Sequence, residues 1–136
     1  MWGNELPGDN AIAGDNFTIL PDGRKNALDL AFTKFPELKD KFDGPDDEFL
    51  EDVYYVYGLL ATEMVSQWND ETFRKRCCQF LDGLAESGDS LLEDLLVVCL
   101  LERLAVDVAI SEQAKTWLGE KAGGFLRRVD REMFGR

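Results

Sequence analysis

An all-α fold is predicted by three features of the sequence. After Asp22 the apolar residues recur at the three- and four-residue spacing of amphipathic helices, and strand-like alternation is nearly absent. The periodic segments are separated by short connections rich in Gly, Pro, Asn and Asp. The length of 136 residues suits one domain. We therefore expect about five to seven helices. They form an antiparallel bundle or HEAT-like stacked pairs, and no sequence repeat is clear enough to distinguish these two architectures.

The N-terminal residues 1–23 are predicted to form an arm or loop, and residues 24–136 a single helical domain. The arm is rich in Gly, Asn, Asp and Pro and contains the turn-forming triplet GDN twice. It has neither the basic nor the apolar region of a secretory signal. No apolar run in the chain approaches the roughly 18 to 20 residues that span a bilayer. We therefore expect a cytoplasmic protein with no membrane partner.

The first helices are predicted from their caps and breakers. Helical periodicity runs through RKNALDLAFTKF. Pro36 then begins a turn or short helix, because proline suits a first helical position but not an interior one. Pro45 breaks the chain again. Asp46 or Asp47 is a suitable N-cap for a long helix that reaches Trp68.

The later helices follow the same signals. Asn69 and Asp70 are predicted to cap the segment ETFRKRCCQFLDGLAE, and Asp89 or Ser90 the segment LLEDLLVVCLLERLA. Ser111 resembles the start of the next helix and Gly119 its C-cap. A last helix covers EKAGGFLRRVDREMF.

The segment 90–105 is predicted to be the central helix. At 100° per residue, Leu91, Leu95 and Val98 lie on one side, and other apolar residues lie on nearly the opposite one. A helix that is apolar almost all round is buried among other helices. Glu102 falls on the Leu91 side, either paired with an arginine from 127–131 or exposed near the helix end.

The helix predicted over 47–68 has an apolar arc of about half its circumference. Its wheel places Tyr54 and Tyr57 inward, and Tyr55 and Leu59 outward among acidic side chains. An exposed tyrosine among carboxylates resembles an interface anchor with a charged rim. The alternative is that a neighbouring loop, such as the N-terminal arm, covers Tyr55 and Leu59. The candidate partner-binding residues are Glu48, Glu51, Asp52, Tyr55, Leu59 and Glu63.

The net charge of −12 is carried by the middle of the chain. Residues 42–102 contain fifteen acidic and three basic side chains, whereas residues 103–136 contain five acidic and seven basic ones. Such a surface repels nucleic acid and favours a basic protein partner, although acidity can also serve solubility alone. We expect no nucleic-acid partner.

Catalytic motifs are absent from the sequence. The lack of histidine excludes Ser-His-Asp triads, Cys-His dyads and zinc-protease motifs. Cys77 and Cys78 follow the cations of RKR, which lower a thiol pKa, but their place on an apolar stripe favours core packing. The spacing of the acids after Asp43 does not fit a calcium loop. We expect no metal, no cofactor and no catalytic activity.

Magnesium-dependent all-α phosphohydrolases offer the best catalytic alternative. They hold the ion with a Glu-x-x-Glu pair on one helix and a Glu-x-x-Asp pair on the next. Glu48 and Glu51 match the first pair. Glu86 and Asp89 match the second only in spacing, because a turn separates them. One matched pair is not sufficient to provide the near-octahedral set of oxygen ligands that Mg²⁺ needs.

Four segments, taken in order, resemble a family of small helical bacterial proteins of unassigned biochemical function. They are FTKFPELKDKF, VYYVYGLLATEMV, FRKRCCQFLDGLAESGDSLLEDLLVVCLLERL and AKTWLGEKAGGFLRRV. The resemblance covers roughly residues 26–131, and its most specific part is 73–104. Some members look like immunity partners of contact-dependent or type VI-secreted toxins. The resemblance implies an all-helical fold and provides no catalytic residues.

Charge and resemblance together predict a non-catalytic acidic binding protein. Its most concrete form is an immunity protein that occludes the basic active-site cleft of a cognate toxin. The alternatives are the magnesium-dependent nucleotide phosphohydrolase and a phage-type nucleic-acid mimic that inhibits a nuclease or restriction enzyme.

Overall fold

The structure is a computed structural model that describes residues 23–41 and 52–136. All regular structure in these ranges is helical, which confirms the predicted all-α fold. The predicted N-terminal arm lies outside the described residues, apart from Gly23, which opens the first helix. The elements are α1 (Gly23–Lys34), a 3₁₀-helix (Pro36–Lys41), α2 (Val53–Ser66), α3 (Glu71–Ala85), α4 (Ser90–Asp94), a π-helix (Leu95–Leu101), α5 (Glu102–Val106), α6 (Val108–Trp117) and α7 (Glu120–Phe134).

Aspartate side chains begin four of the helices. As predicted, Asp70 caps α3 and Asp89 caps α4, accepting hydrogen bonds from the backbone N–H groups of Phe73 and Leu92 at 3.0 and 2.9 Å. Asp52 caps α2 and has an extended backbone, with φ −86° and ψ 103°. The helix expected after Asp46 or Asp47 therefore does not run continuously through Asp52. Asp46 and Asp47 themselves lie outside the described residues.

The boundaries of α6 differ from those expected. Asp107 is its N-cap and accepts a hydrogen bond from the backbone N–H of Ile110 at 3.1 Å. Ser111, the predicted start, is buried one turn inside the helix. Gly119 is the N-cap of α7 rather than the C-cap of α6. Its backbone N–H donates to the Asp82 carboxylate at 2.8 Å, which ties the start of α7 to α3.

The centre of the molecule is a continuous helical rod formed by residues 90–106, in which the π-helix joins α4 to α5. We call this segment the central rod. Along its length it contacts α1 and α3, then α2 and α7, and finally α6. Leu92, Leu95, Leu96, Leu100 and Leu101 are all fully buried. The prediction of a central helix is confirmed.

The π-helix alters which side chains of the rod are buried. An i→i+5 hydrogen-bond pattern advances each residue by less than the 100° of an α-helix, so side chains after Leu95 are rotated from their expected positions. Val98, predicted on the Leu91 side of the rod, is 46% exposed, whereas Leu96 and Leu101 are buried. The rod is therefore not buried all round.

A buried carboxylate is present in the fold, but it belongs to Asp130 rather than to Glu102. Asp130 is fully buried on α7 and pairs with Lys115. Ser111 Oγ donates to its Oδ2 at 2.9 Å, and Arg136 Nη2 lies 3.3 Å from its Oδ1. Glu102 is half-buried, and within residues 52–136 no ion pair joins it to the arginines of 127–131.

No helix in the described ranges is both long enough and apolar enough to cross a membrane.

Candidate functional site

The first turn of α2 places two tyrosines at the surface. Asp52 Oδ1 accepts hydrogen bonds from the backbone N–H groups of Tyr54 and Tyr55, both at 3.1 Å. This cap fixes where the helix begins and hence where both side chains project. The carboxylate of Asp52 is exposed, so it adds negative charge beside the two rings.

Tyr54 lies at the surface and not in the core, which corrects the helical-wheel prediction. Its side chain is 44% exposed, and its hydroxyl donates to Asp94 Oδ2 at 2.7 Å. That hydrogen bond raises the pKa of the Tyr54 phenol, with smaller contributions from desolvation and the Asp94 charge. Because the hydroxyl is held by the central rod, the exposed ring is fixed in place.

Tyr55, Leu59 and Glu63 follow one another along the outer side of α2, four residues apart. Tyr55 is 40% exposed, which confirms its outward position. Leu59 is half-buried and packs against the core, so it is less exposed than the wheel indicated. Glu63 is also half-buried. The other two candidates, Glu48 and Glu51, lie outside the described residues.

These side chains form one candidate binding surface. Exposed aromatic rings, held next to carboxylates, accept the side chains of arginine or lysine through charge-assisted hydrogen bonds and cation–π contacts. Among the described residues, no cation pairs with Asp52 or Asp94. We call this the tyrosine surface and define it as Asp52, Tyr54, Tyr55, Leu59, Glu63 and Asp94.

The π-helix adjoins the tyrosine surface. Cys99 Sγ lies 3.9 Å from the backbone oxygen of Tyr54, and Val98 is exposed one turn beyond Asp94. π-Helical turns are rare and occur frequently at functional sites. The surface thus combines fixed aromatic side chains, carboxylates and an irregular stretch of helix.

The three thiols have the properties of packed side chains. Burial raises the pKa of Cys77 to about 12 and that of Cys78 to about 11. The pKa of Cys99 rises to about 11, first through burial and then through the charges of Asp94, Glu102 and Asp52. The cations of RKR do not overcome burial, and the core-packing interpretation of Cys77 and Cys78 is confirmed.

No group of three or more Cys, Asp or Glu side chains within residues 23–41 and 52–136 could hold a metal ion. Asp89, one half of the Glu-x-x-Asp pair, uses its carboxylate to cap α4. Glu86, the other half, is the C-cap residue of α3. The two therefore stand at opposite ends of a turn, as their sequence indicated.

Two features of this surface were not predicted from the sequence. The Tyr54–Asp94 hydrogen bond joins residues forty positions apart, and no local pattern encodes such a contact. The π-helix carries no distinct composition, since LLVVCLL suits any buried helix. An excess of carboxylates and tyrosines near the start of α2 was the available signal, and it located the surface but assigned Tyr54 to the wrong side.

A protein-family model described as "Domain of unknown function (DUF7674)" matches residues 28–127, which include the tyrosine surface and the whole central rod. No curated protein and no solved structure matches the chain.

Proposed function

The chain belongs to the DUF7674 family of unknown function, and we propose that it is a non-catalytic binding protein whose tyrosine surface holds a basic protein partner. The observation that carries this proposal is Tyr54, whose ring is 44% exposed while its hydroxyl is bonded to Asp94. A ring held in place loses little conformational entropy on binding, which favours a role as an interface anchor.

The chemistry of the partner follows from the charge of the surface. Residues 42–102 contain fifteen acidic and three basic side chains, so the potential around the tyrosine surface is negative. A basic partner is steered toward such a surface by long-range attraction, and it pairs with Asp52 and Asp94 on contact. The aromatic rings supply apolar area at the centre of the contact.

The most concrete form of this function is immunity to a bacterial toxin in the cytoplasm. Enzymes that act on nucleic acids or nucleotides present basic clefts, and an acidic helix carrying exposed tyrosines complements such a cleft. The mechanism is occlusion: the bound helix blocks entry of the substrate, and no bond is made or broken. Residues 26–131 resemble a family of small helical bacterial proteins of unassigned function, and the likeness of some members to immunity partners supports the same class.

Co-expression with the products of the adjacent genes tests this proposal. We expect one of them to be a basic protein that co-elutes with the chain in a one-to-one complex and whose toxicity the chain suppresses. Suppression should weaken in Asp94→Asn, which removes the negative charge from the group that accepts the Tyr54 hydroxyl. It should persist in Glu132→Gln, a matched neutralisation of an exposed acid on α7. Adjacent proteins that neither bind nor become less toxic would contradict an immunity role.

Calorimetry separates the binding protein from the magnesium-dependent hydrolase. A binding protein predicts no heat on titration with Mg²⁺ at physiological ionic strength and no turnover of nucleoside triphosphates. Saturable Mg²⁺ binding that is abolished by Glu48→Gln and Glu51→Gln would instead support the hydrolase.

A further inference from the structure

The last helix carries a second charged surface, of opposite sign to the first. The exposed cations of α7 lie within about one third of its circumference, around Gly124, and outnumber the single acid in that sector, Glu120. A Cβ added at Gly124 would meet no atom within 4 Å, so the centre of this face is open. We call it the basic face and define it as Lys121, Gly124, Arg127, Arg128 and Arg131.

Interactions within the fold leave these cations available. Within residues 23–41 and 52–136, none of the four makes an ion pair, although Lys115 and Arg136 nearby both pair with Asp130. Arg128 lies over the ring of Phe125, with 5.2 Å between its Cζ and the ring centroid. A Cβ added at Gly123 would lie 3.2 Å from Arg127 Nη1, so this glycine lets the guanidinium approach the helix. Two of the arginines are thus positioned without being neutralised.

Helix stability does not account for this arrangement. Arg127 and Arg131 are four residues apart, a spacing at which like charges repel and destabilise a helix. Lys121 lies in the first turn, where the helix dipole disfavours a cation. Only Arg131, in the last turn, is favoured by the dipole. Repulsion of this kind is relieved when an anionic partner binds.

We propose that the basic face of α7 docks an acidic segment of a partner protein. The guanidinium group of arginine forms two parallel hydrogen bonds with a carboxylate. The face extends about 15 Å along the helix, which suits a short acidic segment. A nucleic acid fits less well, because its charge continues past the face, whereas an acidic segment of a protein can be as short as the face itself. The surface is distinct from the tyrosine surface, so the proposed function does not depend on it.

Fluorescence anisotropy with labelled penta-glutamate, whose extended length of about 17 Å matches the face, tests the proposal on the full chain at low salt. We expect saturable one-to-one binding that weakens as salt rises. The variant R127Q/R128Q/R131Q should bind about tenfold more weakly, since three exposed charge pairs are lost. Glutamine is a good helix former, so α7 should persist, and circular dichroism checks it. The control K25Q/K34Q/K75Q makes the same change in net charge on α1 and α3 and should bind within about twofold of the wild type.

Three results would overturn the proposal. Penta-glutamate that does not bind, or that binds both variants equally, would show that the face is not the docking surface. A five-nucleotide oligothymidylate that binds more tightly than penta-glutamate, with the same loss in the arginine variant, would make nucleic acid the ligand. A low-salt dimer in sedimentation that is lost in the arginine variant would identify a second copy of the chain as the occupant.

Discussion

At the scale of single residues, Asp130 illustrates how a buried charge is tolerated in this fold. Burial alone would raise the pKa of its carboxyl group, but hydrogen bonds from Lys115 and Ser111 and the charges of Lys115 and Arg136 outweigh that effect and lower the pKa. The same carboxylate raises the pKa of Lys115. One aspartate therefore joins α6, α7 and the C-terminal arginine.

Replacing Asp130 by asparagine should lower the free energy of unfolding by about 2 kcal/mol, because charge-assisted hydrogen bonds are lost in the interior. Lys115 keeps Glu112 as a partner at 3.0 Å, which limits the cost. Urea denaturation at pH 7 measures the change. Glu132→Gln, an exposed change two residues away, should alter stability by less than about 0.5 kcal/mol.

The same substitution should show a defined pH dependence. Because the folded pKa of Asp130 lies below the unfolded value of about 3.9, its stabilisation is fully present above that value and is lost as the pH falls through the folded pKa. The stability difference between the wild type and Asp130→Asn should therefore shrink below about pH 4. A difference that stays constant down to pH 2 would contradict the ionised, paired state of Asp130.

The thiols provide a second prediction at this scale. With pKa values raised to about 11 or 12, Cys77, Cys78 and Cys99 hold very little thiolate at pH 8. Their reaction with Ellman's reagent in the folded protein should be at least about 100-fold slower than that of free cysteine. All three should react in guanidinium chloride. One thiol that reacts quickly in the folded protein would indicate a nucleophile and reopen a catalytic interpretation.

At the scale of elements, the sequence predicted which helices exist better than where they begin. Asp70 and Asp89 were each one of two candidates at clear breaks, and both are the observed caps. Four aspartates precede α2, and each is a chemically suitable cap, so composition could not select Asp52. A helical wheel also assumes that neighbouring helices cover the apolar side of a helix along its whole length. Tyr54 lies in the first turn, where its hydroxyl is bonded to Asp94 and its ring stays exposed.

The π-helix allows a prediction about chain length. A π-turn contains one more residue than an α-turn, so deleting the exposed Val98 should convert the rod to regular α-helix without rotating its two ends. Deleting the exposed Gln79 from α3 should rotate half of that helix by about 100° and disrupt its packing. Chemical denaturation should therefore find the Val98 deletion the more stable of the two. The opposite order would show that the π-turn is required for packing of the rod.

At the scale of the whole molecule, charge is segregated rather than mixed. Residues 42–102 have a net charge of −12, and residues 103–136 a net charge of +2. In the fold, the acidic segment provides the tyrosine surface on α2 and α4, and the basic segment provides the basic face on α7. The sequence indicated the acidic side from composition. It did not indicate the basic face, because only the contacts within residues 23–41 and 52–136 show that four cations of α7 form no ion pair there.

The central claim is that the tyrosine surface binds a basic partner, and isothermal titration with the co-eluting product of an adjacent gene tests it most directly. We expect one-to-one binding, with Tyr54→Ala and Tyr55→Ala each weakening the affinity by about 30-fold, or about 2 kcal/mol, as loss of a central aromatic anchor does. Phe134→Ala, which removes a similarly exposed ring from α7, should leave the affinity within about twofold. Affinity unchanged by both tyrosine substitutions, in variants that remain folded, would contradict the claim.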